Sequence, residues 1–197
     1  PFDVSIIKRA IAQRLVNINI HNLRDYSAMR NKVVDDYPFG GGGGMVMKPE
    51  PLFTSVEQIK ASIDRTNDET LLQEPKVVLL TPQGQQLTQN IVEEMSLLSD
   101  IILICGHYDG IDERVTENLV DKEISIGDYI LTGGEIPAMV LVDAIARLIP
   151  GVVGDKDSLD DDTHTSGLIQ FPQYTRPQIF RDMAVPDVLL SGNHEQI

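Results

Sequence analysis

The sequence predicts an α/β fold, a mainly parallel sheet flanked by helices, and three observations predict it. Strand-length runs stand at Val77–Thr81, Ile101–Cys105 and Lys122–Ile126. Segments with helical spacing of apolar residues alternate with them at Thr88–Leu98, Ile111–Leu119 and Pro137–Ile149. Each strand also ends in a glycine turn. Strict alternation implies parallel strands, because a parallel pair needs a crossover connection that a helix supplies.

Earlier in the chain, Ile6, Ile7, Ala10, Ile11 and Leu15 share one face with Lys8, Arg9 and Arg14 outside it, which predicts an amphipathic helix over Val4–Leu15. Val16, Ile18 and Ile20 alternate with Asn17 and Asn19, the period of a half-buried strand. Periodicity disappears from Arg24 to Met47, a long loop carrying five consecutive glycines, Gly40–Gly44. A helix is expected from Ser55, with Val56, Ile59 and Ile63 as its stripe and Ser55-x-x-Gln58 as a capping box. The strand at Val77 is expected to break at Pro82-Gln83-Gly84. Gly151–Ser166 is patternless and linker-like.

The three turns, after Thr81, after Cys105 (Gly106 to Gly110) and after Ile126 (Gly127 to Gly134), suggest one pocket. Ligands of open α/β sheets collect at the carboxyl ends of the strands. Taken singly, each turn is also an ordinary strand-to-helix connection. The glycine run does not bind a nucleotide triphosphate by a P-loop, because Met45 follows where Gly-Lys-Ser is needed, and it fails the Rossmann fingerprint at the same residue. A flexible hinge, a lid and a target-base contact stay open for it.

Composition narrows the class further. The chain has 197 residues, 42% of them hydrophobic, enough for a substantial core, with no apolar stretch near the ~20 residues that span a bilayer. The single Cys105 sits in an apolar strand without a disulfide partner, and no His spacing suggests a metal site. A cytoplasmic protein with no membrane association is expected. The net charge of −14 opposes nucleic-acid binding, which rests on Lys and Arg neutralising phosphates, although much of the excess lies in the local run Asp155–Asp162.

The ordered words FGGGGGM, LLTPQG, ICGHYDGIDERV, SIGDYILTGGEIPAM, RLIPGVVG, QYTRP and VLLSGNH resemble bacterial tRNA (guanine-N1)-methyltransferases of the SPOUT class, from about Leu23 to Ile197. The resemblance implies a trefoil-knotted methyltransferase domain with S-adenosylmethionine (SAM) as methyl donor, N1 of guanosine 37 in tRNA as acceptor, and a homodimer with shared active sites. It implies a donor pocket at Leu80, Pro82, Gly84, Gly106, Tyr108, Asp109, Ile126, Gly127, Asp128, Tyr129, Ile130, Leu131, Gly133, Gly134 and Pro137. Asp162 matches the family's general base and Arg147 the arginine that stabilises charge on guanine O6. Without the resemblance, Asp162 also reads as part of a solvated acidic loop, and Arg147 as the surface partner of Asp143 four residues earlier on a helix.

The chain departs from the family pattern at His107, Asp109, Asn31 and Gln170, which bears on tRNA contact and base placement. Relative to the family it reads as a piece lacking a first strand and a C-terminal helical domain. The division expected is a SAM-binding domain over 1–150, an acidic linker over 151–166 and a segment over 167–197 leading to the further domain. Alternatives are another SPOUT RNA methyltransferase, or a SAM- or RNA-binding fragment without catalysis.

Overall fold

The computed structural model describes residues 2–63, 74–153 and 171–193, and the chain forms two compact units, Pro1–Lys156 and Asp157–Ile197. In the first unit three parallel strands, β3 (Lys76–Gln86), β4 (Ile101–Cys105) and β5 (Lys122–Ser125), form a sheet in the order β4-β3-β5. Val77, Val78, Leu79 and Leu80 are each at most 4% exposed. A central parallel strand covered on both faces needs a continuous apolar run rather than alternation, which is why this stretch reads VVLL.

The alternation still decides which layer each side chain joins. Val77 and Leu79, with Ile102 and Ile104 of β4, pack with Leu52 and Val56 of α2 (Pro49–Ser62) and Val115 of α4 (Glu113–Leu119). Val78 and Leu80, with Ile124, pack with Ile91 and Met95 of α3 (Gln89–Ser96) and Ala138 and Leu141 of α5 (Glu135–Ala146). Two helices on each face make a three-layer sandwich. Each Val, Leu, Ile or Met among these, once fully buried, contributes about 1.5–3 kcal/mol.

Asp121 fixes where β5 meets β3. Its carboxylate accepts the Val77 N–H at 2.8 Å and pairs with Lys76 Nζ at 2.8 Å, while its own N–H donates to the Val77 carbonyl. Burial pushes this carboxyl up, but the hydrogen bonds and charge of Lys76 and Val77 outweigh it, so its pKa lies below the ordinary value.

Several expectations need correction. The first helix, α1, spans Ser5–Ala12 and stops short of Leu15. Arg14 takes φ 58°, and Leu15 N–H donates to the Ala10 carbonyl while Arg14 N–H donates to that of Ile11. This is a Schellman closure, with arginine in the place glycine usually fills. Val16–Ile20 takes up no regular secondary structure and pairs with no strand among the described residues. Alternation marks a half-buried face without supplying a ladder partner.

The long loop is partly structured. A 3-10 turn, Leu23–Tyr26, precedes two short antiparallel strands, β1 (Asp35–Asp36) and β2 (Val46–Met47), which close a hairpin around the glycine run. Helix α2 begins at Pro49 rather than Ser55, since proline is preorganised for the first turn. Ser55 lies inside it and donates its hydroxyl to the Leu52 carbonyl at 2.9 Å.

Strand β3 does not end at Pro82. It reaches Gln86, and both Leu80 and Gln85 pair with Ile124, so Thr81–Gly84 leave the ladder as a bulge. Proline is tolerated there because a bulge needs no N–H from it. Helix α5 begins at Glu135, placing Pro137 inside its first turn, and ends at Ala146 with Arg147 as C-cap.

In the second unit a short hairpin, β6 (Ile179–Phe180) with β7 (Met183–Ala184), precedes α6 (Asp187–Leu190). No described residue of this unit is buried. Among the described residues, no helix is long and apolar enough to cross a membrane.

Candidate functional site

Parallel strands deliver their carboxyl ends to one edge of the sheet, and at that edge the turns after β3, β4 and β5 enclose a cavity of about 520 Å³. Every pocket residue anticipated from sequence lines it except Gly84 and Asp128. Asp128 is exposed on the turn beyond Gly127. At Gly84 a Cβ would stand 2.5 Å from the backbone of Glu123 and Ile124. Only glycine lets the chain rejoin β5 so closely.

Gly134 joins the end of β4 to the start of α5. Its N–H donates to the Gly106 carbonyl at 2.7 Å, and an added Cβ would lie 2.7 Å from Cys105 Cα and 2.8 Å from Gly106 N. No side chain fits. At Gly127, φ is 153° and a Cβ would meet the Tyr129 ring at 2.5 Å. The turn is closed by Tyr129 N–H on the Gly127 carbonyl, and Ser125 Oγ both donates to that carbonyl and accepts from the Gly127 N–H.

The glycine hairpin is stitched to the turn after β4. Asp109 N–H donates to the Met45 carbonyl at 3.0 Å, Met47 N–H to Gly110 at 2.9 Å and Asp112 N–H to Met47 at 3.0 Å. At Gly44, a Cβ would overlap the Asp109 carboxylate. The run therefore abuts a cavity-lining residue.

Asp109, Glu113 and Glu123 supply acids to the wall, and among the described residues no Lys or Arg lines it. Such a wall disfavours phosphate and favours a cation. His107, also in the wall, stands 3.7 Å from Glu135, and its ring meets Tyr108 edge-on at 5.0 Å. Tyr108 itself takes φ 60°, an uncommon conformation for a bulky residue. Beside the wall, burial pushes the Cys105 thiol up to about 11, with Glu135 adding in the same direction. A thiol protonated at neutral pH is no nucleophile, so Cys105 is a wall element.

Glu113, Glu123, Gln83 and His107 line the cavity without having been named as pocket residues from sequence. Their position directly beside the glycine turns was the available signal. Arg147 is not brought to this cavity: by a rise of ~1.5 Å per residue it lies about 20 Å along α5 from Gly134. Asp162 and Gln170 lie outside the described residues.

The family model described as tRNA (Guanine-1)-methyltransferase TrmD matches residues 1–197. A tRNA (guanine-N(1)-)-methyltransferase of Dictyoglomus turgidum is 53% identical over 197 residues, covering 100% of this chain and 76% of that protein. One from Staphylococcus epidermidis is 53% identical over 193 residues, covering 98% and 75%. Among solved structures, the tRNA (m1G37) methyltransferase of Aquifex aeolicus superposes with TM-score 0.78 at 38% identity, covering 98% of this chain and 77% of that one. With a match over its whole length and relatives at this identity, the chain belongs to the tRNA (guanine-1)-methyltransferase family.

Proposed function

We propose that this protein transfers a methyl group from SAM to N1 of guanosine 37 in tRNA, with the donor held in the cavity at the ends of β3, β4 and β5. The observation that carries the donor assignment is the cavity itself. Its walls are glycine turns in which an added Cβ at Gly127, Gly133 or Gly134 would clash, its size suits a ligand of this class, and its acids, opposed by no Lys or Arg among the described residues, suit a cationic sulfonium. When bound, the donor supplies an electrophilic methyl carbon and needs no metal to do so.

The protein's share of the chemistry is positioning and proton transfer. Guanine N1 carries a proton in the neutral base, and its lone pair becomes available as that proton leaves. Asp162 accepts the proton, and Arg147 stabilises the negative charge that gathers on O6. An ordinary Asp, with a pKa near ~3.9, is a weak base, so this role requires surroundings that favour its protonated form. The closeness of position 44 to Asp109 supports a role for the glycine hairpin as a lid or a target-base contact.

The active unit is a homodimer with shared sites. Two features support this: Arg147 stands far along α5 from its own chain's cavity, and α5 is apolar outside Glu135 and Asp143, with Ile136 52% and Val140 43% exposed. A helix of that kind belongs in an interior or an interface. The trefoil knot and a cytoplasmic location go with the same reading.

Methyl incorporation from labelled SAM into transcribed tRNA tests the function. Label should enter tRNA with guanosine at position 37, appear as 1-methylguanosine on digestion, and vanish when that nucleotide is adenosine. Label persisting in the adenosine transcript would mean a different target nucleotide.

A further inference from the structure

The wall residue Tyr108 is held by a group remote in sequence. Arg24 Nη2 donates to the Tyr108 hydroxyl at 3.3 Å, and Nη1 donates to the Lys32 carbonyl at 3.1 Å. Among the described residues, Arg24 is the hydrogen-bond partner of that phenol. The guanidinium is itself set by its surroundings. Asn22 caps the 3-10 turn by accepting the Arg24 N–H at 3.1 Å, and Lys32, at φ 53°, is tied to Asp25 by an ion pair of 2.6 Å. Ser27 closes the same loop by donating its hydroxyl to the Val33 carbonyl at 2.7 Å.

We infer that Arg24 is a positioning residue for the donor pocket: its forked guanidinium spans Lys32 and Tyr108, holds the Tyr108 ring as a cavity wall and so couples cavity occupancy to the order of the loop from Asn22 to Val34. The inference rests on the assignment of that cavity to the donor. Three features make the coupling physical. Tyr108 sits in the sparsely populated left-handed region, so its backbone alone does not favour this placement. Among the described residues its ring neighbour is His107, met edge-on, which leaves the hydroxyl as the handle by which the ring is turned. A planar fork with two fixed donor directions can serve both acceptors at once, which a lysine ammonium on a flexible stem does less well. Ordering by Arg24 in the free protein lowers the entropy that the ligand must otherwise supply when the wall closes on it.

The test uses four proteins: wild type, Arg24→Ala, Tyr108→Phe and the double variant, each titrated calorimetrically with S-adenosylhomocysteine. Each single variant should bind about three- to tenfold more weakly, the range expected for one lost hydrogen bond. The double variant should be no weaker than either single one, because both remove the same interaction. The ring carbon bearing the hydroxyl of Tyr108, assigned in 13C-tyrosine-labelled protein by its loss in Tyr108→Phe, should shift in ligand-free Arg24→Ala while the other tyrosine signals stay. An additive double variant, or an unmoved Tyr108 signal, overturns the inference. If wild type takes up no S-adenosylhomocysteine, the donor assignment fails, and the ligand-free spectrum still decides whether Arg24 orders Tyr108.

Discussion

Val77–Leu80 at the centre of the first unit are at most 4% exposed, whereas Phe171, Ile179 and Met183 of the second stand 62–64% exposed. Both regions carry large apolar side chains, so the hydrophobicity of a single residue does not decide whether it is buried. What differs is layering. The first unit covers its sheet on both faces and therefore holds its cavity ready-made. In the second, the two-stranded hairpin relies on two residue pairs and on the Arg181 guanidinium, 5.2 Å above the Phe180 ring. Isolated hairpins of this kind are marginal in water. Small-molecule binding should thus belong to the first unit and survive changes in the second.

The harshest way to break that comparison is Gly134→Val. With a Cβ already 2.7 Å from Cys105 Cα, the side chain must force β4 and α5 apart, and binding of S-adenosylhomocysteine should disappear in calorimetry. Retained affinity would remove the turn from the pocket.

Asp162→Ala sharpens the comparison from the other unit. It should bind S-adenosylhomocysteine as wild type does, yet lose about 10²–10⁴ in methyl transfer, the usual contribution of a general base. Mixed with Gly134→Val protein and shown to contain heterodimer, it should regain activity from one intact cavity served by one intact Asp162. No recovery means the base acts within its own chain or is another residue.

Stability should divide the same way in denaturant titrations. Leu141 is fully buried in the layer between α5 and the sheet, and Leu141→Ala should cost about 2–5 kcal/mol. Met183→Ala, at 63% exposure, should stay within about 0.5 kcal/mol. Similar costs would show that Met183 is covered in solution.

The smallest effect concerns Cys105. Its folded pKa is raised from 9.0 to about 11, so the stability that comes from keeping the thiol neutral is present in full below pH 9 and is lost as the pH rises toward 11. Cys105→Ser should flatten that alkaline decline in melting temperature. Iodoacetamide should likewise modify the folded protein far more slowly at pH 8 than the unfolded chain.

Much of this was readable beforehand, for identifiable reasons. The three strands and the helices between them announce themselves through unbroken apolar runs and 3.6-residue spacing, both local signals. The glycine turns pointed to the cavity because close backbone approach leaves a mark in composition. Other features had no such mark. Pro82-Gln83-Gly84 spells a turn whether the chain reverses or merely bulges, and only the pairing with Ile124 decides between them. Ser55 matched a capping pattern that the earlier Pro49 made redundant. Val16–Ile20 had the right alternation and lacked a partner strand. The contact between Arg24 and Tyr108 joins residues 84 positions apart and is set by how two loops meet, which no local pattern encodes.

The five glycines at 40–44 look like one uniform tract, yet their positions are unequally constrained. Gly40, Gly41 and Gly42 have φ of 86°, 81° and 132°, and Gly44, at 85°, has the Asp109 carboxylate where its Cβ would be. Gly43 alone has neither a positive φ nor any atom within 4 Å of an added Cβ. Mutational drift in this tract should therefore pass through position 43, where Gly43→Ala leaves the folded hairpin unstrained and, by narrowing the unfolded ensemble, raises stability by about 0.4–1 kcal/mol. An aligned set of homologues should show four near-invariant columns and one open one.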